Sequence, residues 1–183
     1  MIALIDTLAD KRGVYKLPFP EASTRVFPGQ YLTQDKRVYP VMKIEAHALW
    51  LVSDELPSSI EFCISGNPVD HPLDRHQSIA LVSTNDGVFS LIAWLFQYRH
   101  LYAAAKLRVF CRCDQAFAFR PQPSPYLTPE LPPYVTASIP LLDDWRIVSR
   151  LFHPDGLPGC HDDIDAWHQA IASYPQQLYF SDS

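Results

Sequence analysis

Proline is the residue that most limits what this chain can fold into, because each proline lacks a backbone N–H donor and has a fixed φ. The sequence contains 17 prolines, and none lies between Leu73 and Arg120. Seven of the 17 lie between Pro121 and Pro140, where they exclude a helix or a central strand. We therefore expect the regular core in the proline-free window and an extended connector over residues 121–140.

The proline-free window predicts a strand, a helix and a second strand. The run Ser78 to Ser83, apolar between its two serines, is typical of a buried strand, and the polar side chains from Ser83 to Asp86 can cap a helix. Apolar residues then recur at helical spacing from Gly87 to Lys106 and cover most of the helix surface, which predicts a long helix buried on several sides. Alternation over Leu107 to Cys113 predicts the second strand.

Other strand and helix patterns flank this window. Strands are expected over Tyr39–Ile44, Leu49–Val52 and Ile60–Ile64, and helices over Asp143–Phe152 and Asp162–Tyr174, the last with three acidic residues at its positive end. Together the elements predict an α+β fold in which a mixed sheet of about four to six strands packs on one long buried helix, with two shorter C-terminal helices.

The length of the chain, 183 residues, fits a single folded core. We expect an α+β core domain over residues 1–120, a proline-rich connector over 121–140, and a C-terminal helical segment over 141–183 that packs on the core. The hydrophobic content of 48% is sufficient for such a core and excludes a wholly disordered chain.

The charge balance argues against nucleic acid as a partner. Lys and Arg number 15 against 20 Asp and Glu, which gives a net charge of -5, and a surface of that sign repels phosphate backbones. Asp6 interrupts the first apolar run before a signal peptide could form, and no apolar run approaches the length of a membrane span. We therefore expect a cytoplasmic protein with reduced cysteines and no membrane partner.

No pattern predicts a metal, a cofactor or a catalytic residue. Cys111 and Cys113 are one residue apart on a strand, which separates their sulfurs too far for easy chelation, so they are interpreted as buried hydrophobic residues. Cys160 and His161 are interpreted as a loop and a helix start. The six glycines form neither a dinucleotide-binding pattern nor a phosphate loop.

Aromatic residues are the feature that favours binding of a macromolecule. Tyr126, Tyr134 and Tyr179 lie in proline-rich or terminal segments and are expected to be exposed, and exposed aromatic side chains commonly anchor protein interfaces. A proline-rich segment that holds tyrosines in an extended form can dock on a partner at low entropic cost. Tyr126 and Tyr134 are therefore predicted to contact a protein partner.

The order of segments resembles the N-terminal domain of the type VI secretion adaptor family, whose members couple a toxic effector to the secretion spike. The stretches that carry the resemblance are Ala3–Asp6, Val38–Met42, Ile79–Ser83 and Val109–Gln115. Gln115 stands where the family pattern has a proline, so the last match is partial. The resemblance implies binding of an effector segment and a spike protein without catalysis, with Arg112 and Asp114 helping to shape the domain or its partner face.

Three functional hypotheses follow. The first is a non-enzymatic adaptor or chaperone-like protein that binds a protein partner and couples an effector to the type VI secretion spike. The alternative is an acidic immunity protein or inhibitor that neutralises a basic toxin by charge complementarity. The second alternative is a cysteine- or metal-dependent hydrolase. The sequence leaves the identity of the partner and the oligomeric state open.

Overall fold

The N-terminal part of the chain forms one antiparallel sheet. In this computed structural model the described residues are 1–7, 11–71, 76–84, 86–102, 106–112, 168–169 and 171–180. The sheet has the order β1-β2-β5-β4-β3-β6, and every neighbouring pair is antiparallel. Its strands are β1 (Ala3–Thr7), β2 (Gly13–Pro18), β3 (Tyr31–Gln34), β4 (Arg37–Ile44), β5 (Ala48–Ser53) and β6 (Cys63–Ser65).

Local sequence explains how these strands are joined and where the sheet is irregular. Asp35 and Lys36 form the two-residue connection between β3 and β4, and both have positive φ, at 51° and 66°. Such a turn has the twist that a hairpin needs. A short helix, α1 (Ala22–Arg25), lies between β2 and β3. The register of β1 against β2 shifts between Leu4 and Asp6, so the edge strand carries a bulge.

The second unit is a parallel sheet built around one helix. Its strand order is β8-β7-β9, and both pairs are parallel. The central strand is fully apolar over its first four residues, as expected for a strand covered on both faces. The elements are β7 (Ile79–Thr84), α2 (Gly87–Tyr98), a 3-10 turn (Arg99–Leu101), β8 (Leu107–Arg112) and β9 (Gln176–Phe180).

Helix α2 joins the two sheets into one core. Residues 87–95 are all buried, which confirms the prediction that this helix is covered on several sides. It packs against β4 of the antiparallel sheet and against β7 and β9 of the parallel sheet. Lys43 of β4 lies between two rings, with its Nζ 4.7 Å from the ring centroid of Trp50 and 5.0 Å from that of Phe96. None of the helices in the described ranges is long and apolar enough to cross a membrane.

The predicted fold, a single mixed sheet packed on one long helix, is wrong. The structure has a six-stranded antiparallel sheet and a separate three-stranded parallel sheet, and α2 has 12 residues and ends at Tyr98. Side-chain alternation identifies strands but does not identify their hydrogen-bonded partners, so the patterns could not separate two sheets from one. The helix is shorter than predicted because a 3-10 turn replaces its last turns.

Most local predictions inside the two sheets are accurate, but the strand expected over Ile60–Ile64 is displaced, because β6 covers Cys63–Ser65 and residues 60–62 form no strand. The strands expected at Ile79–Ser83, Leu49–Val52 and Tyr39–Ile44 are confirmed, as is the start of the helix after Asp86. The expected helix over 143–152 and the connector over 121–140 lie outside the described residues. Of the helix expected over 162–174, the described residues 168–169 and 171–172 are helical, whereas residues 173–174 are not, so the helix ends earlier than predicted.

Candidate ligand-binding cleft

The parallel sheet indicates where a ligand site is expected. Strands β8 and β9 lie on opposite sides of β7, so the direction in which strands are added reverses at β7. In open α/β sheets, ligands bind outside the carboxyl ends of the strands at such a reversal. Tyr179 and Phe180 form the carboxyl end of β9, and both residues line a cleft at this end of the sheet.

This cleft, which we call the ring cleft, has a volume of about 370 Å³. None of the described residues that line it carries a charge. Tyr179 is 59% exposed and Phe180 is buried, so one aromatic ring stands open to solvent beside another that closes the wall. The lining residues are Gly29, Tyr31, Gly66, Asn67, Pro68, Val69, Tyr179 and Phe180.

Two glycines hold one wall of the ring cleft in place. Gly29 has a φ of +99°, and a Cβ built on it would lie 2.8 Å from the carbonyl oxygen of Asn67 and 2.9 Å from the backbone nitrogen of Val69. The Val69 N–H donates a 2.7 Å hydrogen bond to the carbonyl oxygen of Pro28. The loop before β3 and the loop after β6 therefore pack backbone to backbone, which only glycine permits.

Gly66 and Gln30 fix the same wall from the other side. A Cβ on Gly66, whose φ is +85°, would lie 2.7 Å from Cε1 of Tyr31, so the tyrosine ring rests directly on the glycine. The Gln30 side chain donates to the carbonyl oxygen of Gly66 at 3.3 Å and accepts a hydrogen bond from the N–H of Phe27 at 3.0 Å. The Tyr31 ring is therefore positioned before any ligand arrives.

The opposite wall is formed by β9, and contacts within the protein hold its two aromatic side chains in place. The Tyr179 hydroxyl donates to Oε1 of Gln177 at 2.7 Å, and Nε2 of Gln177 donates to the carbonyl oxygen of Ile171 at 3.1 Å. The ring of Phe180 makes an edge contact with Trp94 of α2, with a centroid separation of 6.4 Å. The ring cleft is thus a preformed space between tyrosines from two different sheets, a common character of small-molecule sites.

A second cleft, the charged cleft, has a volume of about 190 Å³ and lies where β4, β5 and the start of α2 meet. Nη1 of Arg12 donates to Oδ2 of Asp86 at 2.9 Å, and Nη1 of Arg37 donates to Oε1 of Glu55 at 3.1 Å. Hydrogen bonds to the Tyr39 side chain and to Glu55 raise the pKa of Arg37 above its ordinary value. Each arginine is thus paired with a carboxylate, and the carboxylate of Asp54 also lines this cleft.

The residues predicted to bind a partner are not brought together within the described part of the chain. Arg112 is the last residue of β8, in register with Thr84 at the carboxyl edge of the parallel sheet. Asp114, Tyr126 and Tyr134 lie outside the described residues. The expected exposure of Tyr179 is confirmed.

The sequence analysis missed Gly29, Tyr31 and Asn67 as site residues. The run Gly66-Asn67-Pro68 is recognisable from sequence as a turn, but nothing in it indicates that Gly29 lies against it. Within the described ranges, no group of three or more His, Cys, Asp or Glu side chains could hold a metal ion. Cys63 is exposed and forms no disulfide, and Cys160 and His161 lie outside the described residues.

No protein-family model and no curated protein matches the chain. Among solved structures, the chain is similar to the flavohem-like FAD/NAD-binding domain of nitric oxide dioxygenase from Vibrio cholerae O1 biovar El Tor. The two share 12% identity with a TM-score of 0.42, over 93% of this chain and 91% of the other. That structure is described as a domain of nitric oxide dioxygenase, and the expectation that this chain is not an enzyme is withdrawn. The likeness is too distant to support an argument about what this chain binds.

Proposed function

We propose that this protein binds a small molecule through a flat, uncharged aromatic or heteroaromatic ring, and that the ring occupies the ring cleft. The observation that carries the proposal is the pair Tyr31 and Tyr179, which line one uncharged cleft from two different sheets. The volume of about 370 Å³ falls within the range of small-molecule sites, roughly 300–1,000 Å³.

The aromatic lining supports a ring as the bound group. Aromatic side chains attract flat rings through offset or edge contacts, which add about 0.5–1.5 kcal/mol beyond the burial of area. A charged ligand would gain less here, because none of the described lining residues is charged. The proposal needs no phosphate-binding loop, so it agrees with the lack of a glycine-rich motif in the sequence.

Direct binding of ring compounds tests the proposal. The probes are lumichrome, adenine, nicotinamide and indole, measured by saturation-transfer NMR and then by titration of the tryptophan fluorescence. The four probes carry flat rings of different size, so the panel tests the class of ring and not one particular ligand. We expect saturable binding of at least one probe.

The variant Tyr179→Ala locates the binding. Loss of an aromatic stacking partner typically costs about 1–3 kcal/mol, so we expect it to weaken binding clearly. Leu4→Ala is the matched control, because Leu4 and Tyr179 are both 59% exposed and Leu4 does not line the ring cleft. If no probe binds, or if both variants change binding equally, the proposal is wrong.

Binding of a protein partner is a second candidate, favoured by one specific surface. Leu4 and Ile5 lie on the edge strand β1, and both are exposed. The bulge at this point disfavours the addition of another strand, so a partner would contact the side chains rather than the strand edge. To test this second candidate, the affinity of a purified candidate effector or spike protein is measured for the natural chain and for Leu4→Ser. Equal affinities would exclude the surface around Leu4 and Ile5.

A further inference from the structure

We infer that Asn67 selects the ligand of the ring cleft, and that it favours heteroaromatic rings with a hydrogen-bond donor and an acceptor side by side on one edge, as in a lactam, an imide or an aminopyrimidine. This inference rests on the proposed function. It adds a class of ring and a specificity-determining residue to it.

The first step is the chemistry of the lining. Among the described residues that line the ring cleft, Asn67 alone has a side-chain amide. In a side-chain amide, the acceptor oxygen and the donor NH₂ group are bonded to the same carbon. They can therefore pair with a donor and an acceptor that are adjacent on a ring edge. The Tyr179 hydroxyl, a competing polar group, already donates to Gln177.

The second step is that the Asn67 amide is available. Asn67 is exposed, and no hydrogen bond within the described part of the chain engages its side chain. A ligand edge therefore displaces only solvent from this amide and breaks no contact of the protein.

The third step is that the backbone of Asn67 is already fixed. Its carbonyl oxygen lies against Gly29, and Pro68 restricts the backbone of the residue before it to the extended region. The hydrogen bond from Val69 to Pro28 holds the following residue. Because the backbone is already anchored, a ligand has to order only the side chain of Asn67 and not the loop that carries it.

Two pairs of probes separate this inference from the proposed function. Lumichrome is compared with 3-methyl-lumichrome, and adenine with N6,N6-dimethyladenine, because methylation removes the donor and leaves the ring. A paired amide contact discriminates by about 1–3 kcal/mol, or roughly 5- to 150-fold. We expect the natural chain to prefer the unmethylated member of at least one pair by a factor in that range.

The variant Asn67→Leu assigns the preference to this residue. It should bind both members of the pair equally, with the affinity of the methylated probe unchanged, and Asn67→Ala provides a second variant should the larger apolar side chain disturb folding. If the natural chain binds both members equally, or if the variants keep the preference, the inference is wrong and the proposed function stands. If no ring probe binds any of these proteins, both are wrong.

Discussion

Arg12 and Asp86 are 74 residues apart in the sequence, and their side chains meet at 2.9 Å between Nη1 and Oδ2. The pair connects the start of β2 to the start of α2, so it joins the antiparallel sheet to the parallel unit. The side chains of Arg12 and Asp86 are 16% and 32% exposed. Arg12 also lies over the ring of Phe89, 5.2 Å from its centroid.

We expect Arg12→Leu to lower the free energy of unfolding by about 1–2 kcal/mol, because it leaves the partly buried Asp86 carboxylate without its charged donor. The measurement is urea denaturation followed by circular dichroism. Arg37→Leu is the matched control. The side chains of Arg37 and Glu55 are 54% and 71% exposed, so loss of their ion pair should change the free energy of unfolding little. Equal losses in the two variants would show that the Arg12 pair has no special role in holding the units together.

The turn between β3 and β4 is a site where the natural sequence is not the most stable one. Asp35 and Lys36 both have positive φ, a conformation that Asn and Gly adopt with less strain. The double substitution Asp35→Asn and Lys36→Gly should raise the free energy of unfolding by about 0.5–1 kcal/mol. Lys36→Val should lower it, since a β-branched residue is disfavoured there. The midpoint of thermal unfolding reports both changes, and a stabilising effect of valine would contradict this account of the turn.

Lys43 stabilises the packing of α2 on the antiparallel sheet through its position between Trp50 and Phe96. Lys43→Met keeps most of the aliphatic contact and removes the charge, so it isolates the attraction between the ammonium group and the two rings. Such contacts contribute about 0.5–2 kcal/mol, and we expect a loss of stability in that range, with recovery in Lys43→Arg. Chemical denaturation at low and at moderate salt is the measurement. A methionine variant as stable as the natural chain would show that the charge is irrelevant.

Tyr98 should make the protein sensitive to alkali. Burial, with a smaller contribution from the negative charge of Asp70, raises the pKa of Tyr98 above its ordinary value of 10.0. As the pH rises past the ordinary pKa, the unfolded chain loses the tyrosine proton before the folded chain does. The folded state therefore loses stability until the pH passes the raised pKa of the folded protein. At neutral pH both states hold the proton and the effect is absent.

Tyr98→Phe should therefore reduce the loss of stability between neutral pH and about pH 11, a range that spans the ordinary tyrosine pKa. The free energy of unfolding is measured for the variant and for the natural chain at each pH. Subtracting one from the other removes the contribution of the other tyrosines. An identical pH dependence in the two proteins would contradict the assignment to Tyr98.

The parts of the fold that were predictable are those set by neighbouring residues. The β7–α2–β8 unit was found because apolar spacing and the capping residues before Gly87 act over a few positions. Strand β9 was missed: it is short, lies near the end of the chain after Pro175, and pairs with a strand almost 100 residues earlier. The pairing of the strands into two sheets was missed for the same reason.

The ring cleft could not have been assembled from local patterns. Gly66-Asn67-Pro68 is recognisable from sequence as a turn and Tyr179 was expected to be exposed, but the contact between Gly29 and Asn67 depends on the packing of β3 against β6. No spacing rule connects residues 29, 67 and 179. Their convergence is a result of tertiary structure, and it appears only once the sheets are in place.

The most direct test of the ring cleft is a crystal structure of the protein with a bound ring compound from the binding panel. The account predicts the ring between the two loops and β9, with its centroid within about 4.5–7 Å of the ring of Tyr31 or Tyr179, the range of aromatic contacts. A ring bound only in the charged cleft beside Arg12 and Arg37, with the ring cleft occupied by water, would contradict it.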